Sequence, residues 1–220
     1  MALIAARNEA GCIAETVGAL CASGAVDDVV VVDDGSSDGT AGLANRAGAR
    51  VLVSPRNIGK GGALDGALDR LEPAARYLLV DGDVGATATC ALRLLDALDD
   101  PGVDLAIGVL PPLSGGGFGL VKRLSRSVIR ALGGPLVDAP MSGQRAVSAE
   151  ALSACRPLAR GFAVDAAMTA DAARLGFGIV EVPVDMRHRA TGRTPEGFAH
   201  RARQGLHVLL AAVPRALRLR

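Results

Sequence analysis

The sequence predicts an α/β protein built on a mostly parallel sheet with helices on both faces. Three observations carry this. Short apolar runs alternate with stretches whose apolar residues recur at helical spacing, the mark of successive β-α units. Val29-Val30-Val31-Val32 is a β-branched run that stops at Asp33-Asp34-Gly35-Ser36-Ser37-Asp38-Gly39-Thr40, so it reads as a buried strand ending in a polar turn. Half of the residues are hydrophobic but only 2% are aromatic, so the core must be built from Ala, Val, Leu and Ile.

The elements follow in order. Leu3 to Ala6 is a short apolar strand, and Asn8 or Glu9 opens a polar loop. Ile13, Val17 and Leu20 then fall on one helical face. Asp28 to Val32 is the second strand, after which Thr40 or Asp38 can cap a helix over Ala41 to Ala47, closed by Gly48. Arg50 to Val53 is a strand, Pro55 to Gly62 a loop, and Ala63 to Leu71 a helix. Tyr77 to Val80 is a strand, Thr87 to Leu98 a helix stopped near Pro101-Gly102, and Asp104 to Val109 a fifth strand. Regularity breaks at Pro111 to Gly119, a Pro- and Gly-rich loop at an edge where loops often cover ligands. An amphipathic helix over Leu120 to Leu132 follows, then a helix within Gly161 to Leu175, a strand over Ile179 to Met186 and a helical tail from Phe198 to Arg220.

Composition narrows the function. At 220 residues the chain fits one large α/β domain or two small ones, and no linker stands out. A single domain over 1–220 is expected, read as two halves, 1–110 and 111–220. A net charge of +1 argues against a dedicated nucleic-acid binder. Cys12, Cys21, Cys90 and Cys155 lack metal-type spacing and read as buried reduced thiols of a cytosolic protein. There is no signal peptide pattern and no apolar run long enough to span a bilayer. The expected location is cytoplasmic; peripheral contact with the inner membrane face and a homodimer are left open.

Two acid clusters close two strands: Asp33-Asp34 after the valine run, and Asp81-Gly82-Asp83 after Tyr77-Leu78-Leu79-Val80. The carboxyl edge of an open α/β sheet is where ligands bind. Together they suggest one site for a base or sugar and a metal ion. Asp81 and Asp83 can face one hard divalent cation, which takes oxygen ligands and keeps substrate phosphates among them. Asn57-Ile58-Gly59-Lys60-Gly61-Gly62 sets a lysine among glycines before a helix. Glycine admits a phosphate to the backbone and Lys60 supplies a point charge, without the spacing of a Walker A loop.

These motifs also carry a resemblance. Ala2 to Glu9, the run VVDDGSSDGT, Asn57 to Leu64 and Asp81-Gly82-Asp83 stand in the order found in family 2 glycosyltransferases. The resemblance implies the GT-A fold, a Rossmann-like three-layer α/β/α sandwich. It also implies Mn²⁺ or Mg²⁺ at Asp81 and Asp83, the DXD motif, with the ion neutralising the diphosphate that leaves as the glycosidic bond breaks. It places Asp34 against a pyrimidine such as that of UDP, with Asp33, Gly82, Glu9 and the backbone near Ala5 and Arg7 lining the nucleoside pocket. Lys60 falls near the nucleotide. Glu9 could equally be a helix-start acid favoured by the macrodipole.

Many relatives carry one more ligand soon after the motif, where this chain has Gly85. His188, which follows the Ile179 to Met186 strand, is the candidate substitute. That stretch resembles the retaining glucosyl-3-phosphoglycerate synthases, in which a His after the last core strand completes the metal site.

Gly161-Phe162-Ala163-Val164-Asp165 resembles an acceptor-side segment. Asp165 could be a catalytic base, a helix N-cap or a holder of acceptor hydroxyls. Ser142-Gly143-Gln144-Arg145 would line the floor, Gly143 and Arg145 being acceptor contacts and Arg145 the anion contact. From Met186 onward there are eight arginines and one acid, Glu196. Arg187, Arg189 and Arg193 suit a phosphorylated acceptor, a polyprenyl phosphate being frequent in the family, and suit an anionic membrane surface or a solvated face as well.

The reading is a metal-dependent transfer from a nucleotide-diphospho-sugar, UDP- or GDP-linked, to a phosphorylated acceptor. The alternatives are a nucleotidyltransferase that makes such sugars, and an inactive nucleotide-binding module. Ala5-Ala6-Arg7-Asn8-Glu9 lacks the Gly-rich basic loop that the first would need, and intact Asp81, Asp83 and Lys60 weigh against the second.

Overall fold

Val29–Asp33 forms strand β2, and all five of its residues are buried. Burial on both faces requires apolar side chains at every position, which explains the unbroken valines. The computed structural model describes residues 1–111, 120–186, 206 and 210–212. In chain order the elements are β1 (Ala2–Ala6), α1 (Ile13–Ser23), β2, α2 (Thr40–Arg46), β3 (Arg50–Val53), α3 (Lys60–Leu68), β4 (Arg76–Asp81), α4 (Leu92–Asp96), β5 (Leu105–Val109), α5 (Leu120–Ala131), β6 (Arg145–Ser148), α6 (Ala149–Ala154), α7 (Val164–Arg174) and β7 (Ile179–Pro183).

One seven-stranded sheet runs through them in the order β3-β2-β1-β4-β6-β5-β7. Its pairings are parallel except at β6, which runs antiparallel to both β4 and β5. Side chains alternate between two cores. Leu3, Val30 and Val32 face one, with Leu64, Ile129 and Val164. Ala2, Ile4, Val29 and Val31 face the other, with Ile13, Val17, Leu20 and Leu94. Helices cover both faces, giving the three-layer α/β/α arrangement.

Several expectations need correction. The residue at the N-cap of α2 is Gly39, and neither Thr40 nor Asp38 caps the helix through its side chain. Asp38 instead makes a local turn, accepting the Thr40 N–H at 3.0 Å. The helix expected from Ala63 starts at Lys60, because packing overrides the weak helix propensity of Gly61 and Gly62. The single helix expected over Thr87 to Leu98 is a 3₁₀ turn over Gly85–Ala91, then α4, then a short 3₁₀ turn over Ala97–Asp99. Of the cysteines only Cys155 is buried; Cys21 is exposed and all four are free thiols. The Pro111 to Gly119 loop falls, from 112 onward, outside the described residues, as does most of the tail.

The register sets up the site. Ala5 of β1 pairs with Val32 on one side and Asp81 on the other, and Ala6 pairs with Asp33. Both acid clusters therefore reach the same sheet edge, on either side of the end of β1.

Candidate active site

The loops leaving β1 and β2 form one wall of this edge. Asn8 takes a left-handed conformation, φ 57°, which Asn tolerates better than most residues. Its N–H donates to Ser36 Oγ at 2.9 Å, and its Oδ1 accepts the Ser37 N–H at 2.9 Å. Glu9 N–H donates to Thr40 Oγ1 at 2.8 Å, and Ala10 N–H to Asp38 Oδ2 at 3.2 Å. The Thr40 hydroxyl bonds Asp38, which holds the Asp38 carboxyl below its usual range. Glu9 thus sits in the wall, Arg7 is exposed beside it and Ala5 is half-buried at its base.

Asp33 and Asp34 are buried and committed to backbone. Asp33 Oδ1 accepts the Ser36 N–H at 2.8 Å. The two oxygens of Asp34 accept the N–H groups of Ile58 and Gly59 at 2.7 and 2.8 Å. Asp34 therefore holds the turn that starts α3. Each oxygen keeps a second lone pair, so any bond to a nucleoside is additional to this clamp. The turn also needs Gly59, with φ +83° and a Cβ position only 2.8 Å from Gly161 Cα.

The clamp delivers Lys60 into a four-charge cluster. Lys60 Nζ lies 2.8 Å from Asp81 Oδ1 and 3.3 Å from Asp165 Oδ1, and Arg145 Nε lies 3.8 Å from Asp165 Oδ1. Burial opposes the charge on Lys60, but Asp165 and Asp81 outweigh it and hold the ammonium above its ordinary range. For Asp165 burial is the stronger influence and raises its carboxyl, with Lys60 and Arg145 pulling the other way. Gln144 completes the arrangement. Its Nε2 donates to Asp81 Oδ2 at 2.8 Å while its Oε1 accepts the Asp81 N–H at 3.2 Å.

Two sequence expectations are corrected by this geometry. Arg145 is not an acceptor contact: it is fully buried, and its guanidinium donates to Ser142 O, Thr169 Oγ1 and Pro140 O. A buried guanidinium needs all these partners, and they leave it no open face toward a ligand. Asp165 is not an N-cap, since Ala163 holds that position of α7. It sits in the first turn, where the helix dipole favours an anion.

Gly143 lies against Asp81 and Lys60. A Cβ there would lie 2.2 Å from Asp81 Oδ2 and 2.5 Å from Lys60 Nζ. Its missing side chain leaves the carboxylate uncovered. Asp83 is half-buried two residues further along. Among the described residues no group of three or more His, Cys, Asp or Glu gathers at metal-binding distance. Mg²⁺-type ions need only one or two carboxylates when water and phosphate supply the rest. Asp81, which faces the Gly143 gap, and Asp83, two residues on, are enough carboxylates for that demand. His188, Arg187, Arg189 and Arg193 lie outside the described residues.

Sequence reading passed over Thr16. This α1 residue is fully buried, accepts the Gly85 N–H at 2.9 Å and donates toward Gly82 O at 3.1 Å. A threonine inside a helical pattern carries no sign of such a role. Gln144, read only as floor, proves to be the clasp on Asp81.

Comparison with known proteins agrees with this geometry. The model of the family described as Glycosyl transferase family 2 matches residues 2–143. Glycosyltransferase AglJ of Haloferax volcanii is 31% identical over 190 residues, covering 84% of this chain and 62% of that protein. The match thus spans less than two thirds of that relative's length. Among solved structures, glucosyl-3-phosphoglycerate synthase from Mycobacterium tuberculosis in complex with Mn²⁺, UDP and phosphoglyceric acid superposes with a TM-score of 0.80 at 25% identity, over 98% of this chain and 77% of that one. The same enzyme in complex with Mg²⁺ and UDP gives 0.79 at 25% identity, over 98% and 78%. The mostly parallel sheet with its acid-bearing edge is thus that of a GT-A fold, and the chain belongs to glycosyl transferase family 2.

Proposed function

We propose that the protein transfers a sugar from a nucleoside-diphospho-sugar, UDP-linked as the first candidate, to a phosphorylated acceptor. The observation that carries this is the cluster of Lys60, Asp81, Asp165 and Arg145 at the carboxyl edge of the sheet. Membership of the family favours glycosyl transfer over the nucleotidyltransferase alternative. The similar synthase is crystallised with Mn²⁺ or Mg²⁺, UDP and phosphoglyceric acid, which supports the donor, ion and acceptor class assigned here.

In this reading the wall of Glu9, Asp33 and Asp34 receives the nucleoside, and Lys60 supplies positive charge beside the diphosphate. Asp83 and Asp81, with His188, would hold Mn²⁺ or Mg²⁺, which supplies charge neutralisation for the leaving nucleoside diphosphate. Asp81 already gives one oxygen to Lys60 and one to Gln144, so Asp83 is assigned the larger share.

Asp165 is buried between two cations. Lys60 and Arg145 favour its anion, but burial is the stronger influence and raises its carboxyl, so Asp165 is assigned to organise charge around Lys60 and is also able to take a proton from an acceptor hydroxyl. A phosphate oxygen is already ionised and needs no such base. Arg187, Arg189 and Arg193 are assigned to that phosphate. A lipid-linked phosphate would bring the basic C-terminal stretch to an anionic membrane surface; among the described residues no helix is long and apolar enough to cross a membrane.

The test is a panel of nucleotide sugars with Mn²⁺, scored by release of nucleoside diphosphate with phosphoglycerate, short polyprenyl phosphate or neutral sugars as acceptor. Turnover that needs a phosphorylated acceptor is expected. A preference for neutral acceptors would overturn the acceptor assignment, and no release from any donor would overturn the activity.

A further inference from the structure

We propose that Thr16 is a positioning residue for Asp83, holding through one hydroxyl the turn that presents the Asp83 carboxylate. The inference rests on the reading of Asp83 as an ion-holding residue. Gly82 O and Gly85 N–H are the two groups that a four-residue turn would ordinarily join to each other. Here each is bonded to Thr16 Oγ1, at 3.1 and 2.9 Å. Asp83 and Val84 are the residues between them, so the hydroxyl spans the segment that carries the acid.

The anchor is stiff and the turn has few alternatives. Thr16 shares α1 with Ile13, Val17 and Leu20, all fully buried. A β-branched side chain on a helix has restricted χ1 freedom. The hydroxyl proton is shared between Gly82 O and Cys12 O, the latter at 3.2 Å one turn back on the same helix. At the far end Gly85 has φ +56°, and a Cβ there would lie 2.8 Å from Glu15 Oε2, so α1 packs closely over the turn. The near end is held by the Gln144 clasp on Asp81. With both ends held, the Asp83 carboxylate is offered in one place. Without the hydroxyl, the buried Gly82 and Gly85 peptide groups lose a partner and the turn must re-form to satisfy them.

Thr16→Val removes the hydroxyl while keeping the shape, and Thr16→Ser keeps the hydroxyl. Both would be made in the full chain and titrated with Mn²⁺ in the presence of UDP by electron paramagnetic resonance. Metal-free UDP binding in chelator would be measured in parallel by calorimetry. Thr16→Val should weaken Mn²⁺ binding about tenfold, the worth of one well-placed hydrogen bond, with metal-free UDP binding unchanged. Thr16→Ser should restore Mn²⁺ affinity to within about twofold.

Wild-type Mn²⁺ affinity in Thr16→Val, beside a clear loss in Asp83→Ala, would overturn the role of Thr16. Unchanged Mn²⁺ affinity in Asp83→Ala would overturn the reading of Asp83 instead. If Thr16→Val does not fold, Thr16→Cys, whose thiol is a weak donor and acceptor, enters the same comparison with the same criteria.

Discussion

The Lys60 ammonium lies 3.3 Å from the Asp165 carboxylate across 105 residues of sequence, and the same ammonium is 2.8 Å from Asp81. One side chain from the first turn of α3 thus joins the end of β4 to the start of α7. Lys60→Met should leave two carboxylates facing each other, with Arg145 the cation still beside Asp165 among the described residues. Lys60 and Asp81 are only half-buried, so solvent screens part of the loss, and removing the ammonium should cost about 1–3 kcal/mol. Urea denaturation should show that loss; a variant as stable as wild type would mean that the cluster relaxes freely.

The pH dependence of this cluster has a definite sign. The folded protein holds the Lys60 proton more tightly than the unfolded chain does, since its pKa is raised above the ordinary 10.5. The stability it contributes is therefore complete below pH 10.5 and declines as pH climbs toward the higher folded value. The stability gap between wild type and Lys60→Met should narrow as pH rises above 10.5. A gap that widens in alkali would contradict the assignment.

Gly143→Ala is expected to be disproportionately harmful for one added methyl. The new carbon would sit 2.2 Å from Asp81 Oδ2 and 2.5 Å from Lys60 Nζ. Overpacking of this kind costs about 1–3 kcal/mol. Asp81 must move, so metal-dependent UDP binding should fall more than thermal stability does. Calorimetry beside a melting curve separates the two effects.

Asp34→Ala should weaken nucleotide binding more than it slows the chemical step. It removes the acceptor from both Ile58 N–H and Gly59 N–H and so frees the start of α3. Losing these internal hydrogen bonds to a charged group costs roughly 1.5–3 kcal/mol of stability, and UDP affinity should fall with it as the turn that presents Lys60 loosens. UDP affinity equal to wild type in calorimetry would show that the α3 turn keeps its shape without the carboxylate.

Asp83→Ala should abolish turnover and the metal dependence of nucleotide binding together. Chelating the metal from the wild type should reproduce the same low rate. Turnover at the wild-type rate in Asp83→Ala would remove this residue from the site.

Much of this was legible in the chain because buried parallel strands declare themselves. Val29 to Val32 and Tyr77 to Val80 must be apolar on both faces, and their acids mark the ligand edge. β6 was not legible: Arg145-Ala146-Val147-Ser148 is four residues long, begins with a charge and shows no period. Arg145 looked like a ligand residue because a lone arginine near glycines usually faces solvent. Only the fold supplies Thr169, Ser142 O and Pro140 O, which let it be buried. Lys60 and Asp81 were each visible as chemistry, but their meeting with Asp165 depends on helix packing that no local spacing encodes. The stretch Gly59 to Gly62 reads as loop because the close approach of α3 to Ala159 and Gly161, which requires Gly59 and Gly61, is a tertiary fact.

The reversed strand has a consequence for how the chain is made. β4 bonds β1 on one side and β6 on the other, and β5 has only β6 and β7 as partners. A nascent chain that has emerged only as far as residue 110 therefore has an open edge on β4 and an apolar β5 with nothing to pair. The four residues from Arg145 to Ser148 pair with both strands at once, and β7 later takes the other edge of β5. Until they arrive, residues 1–110 carry two unpaired strand edges, and a truncated product ending there should be captured by chaperones or aggregate through those edges.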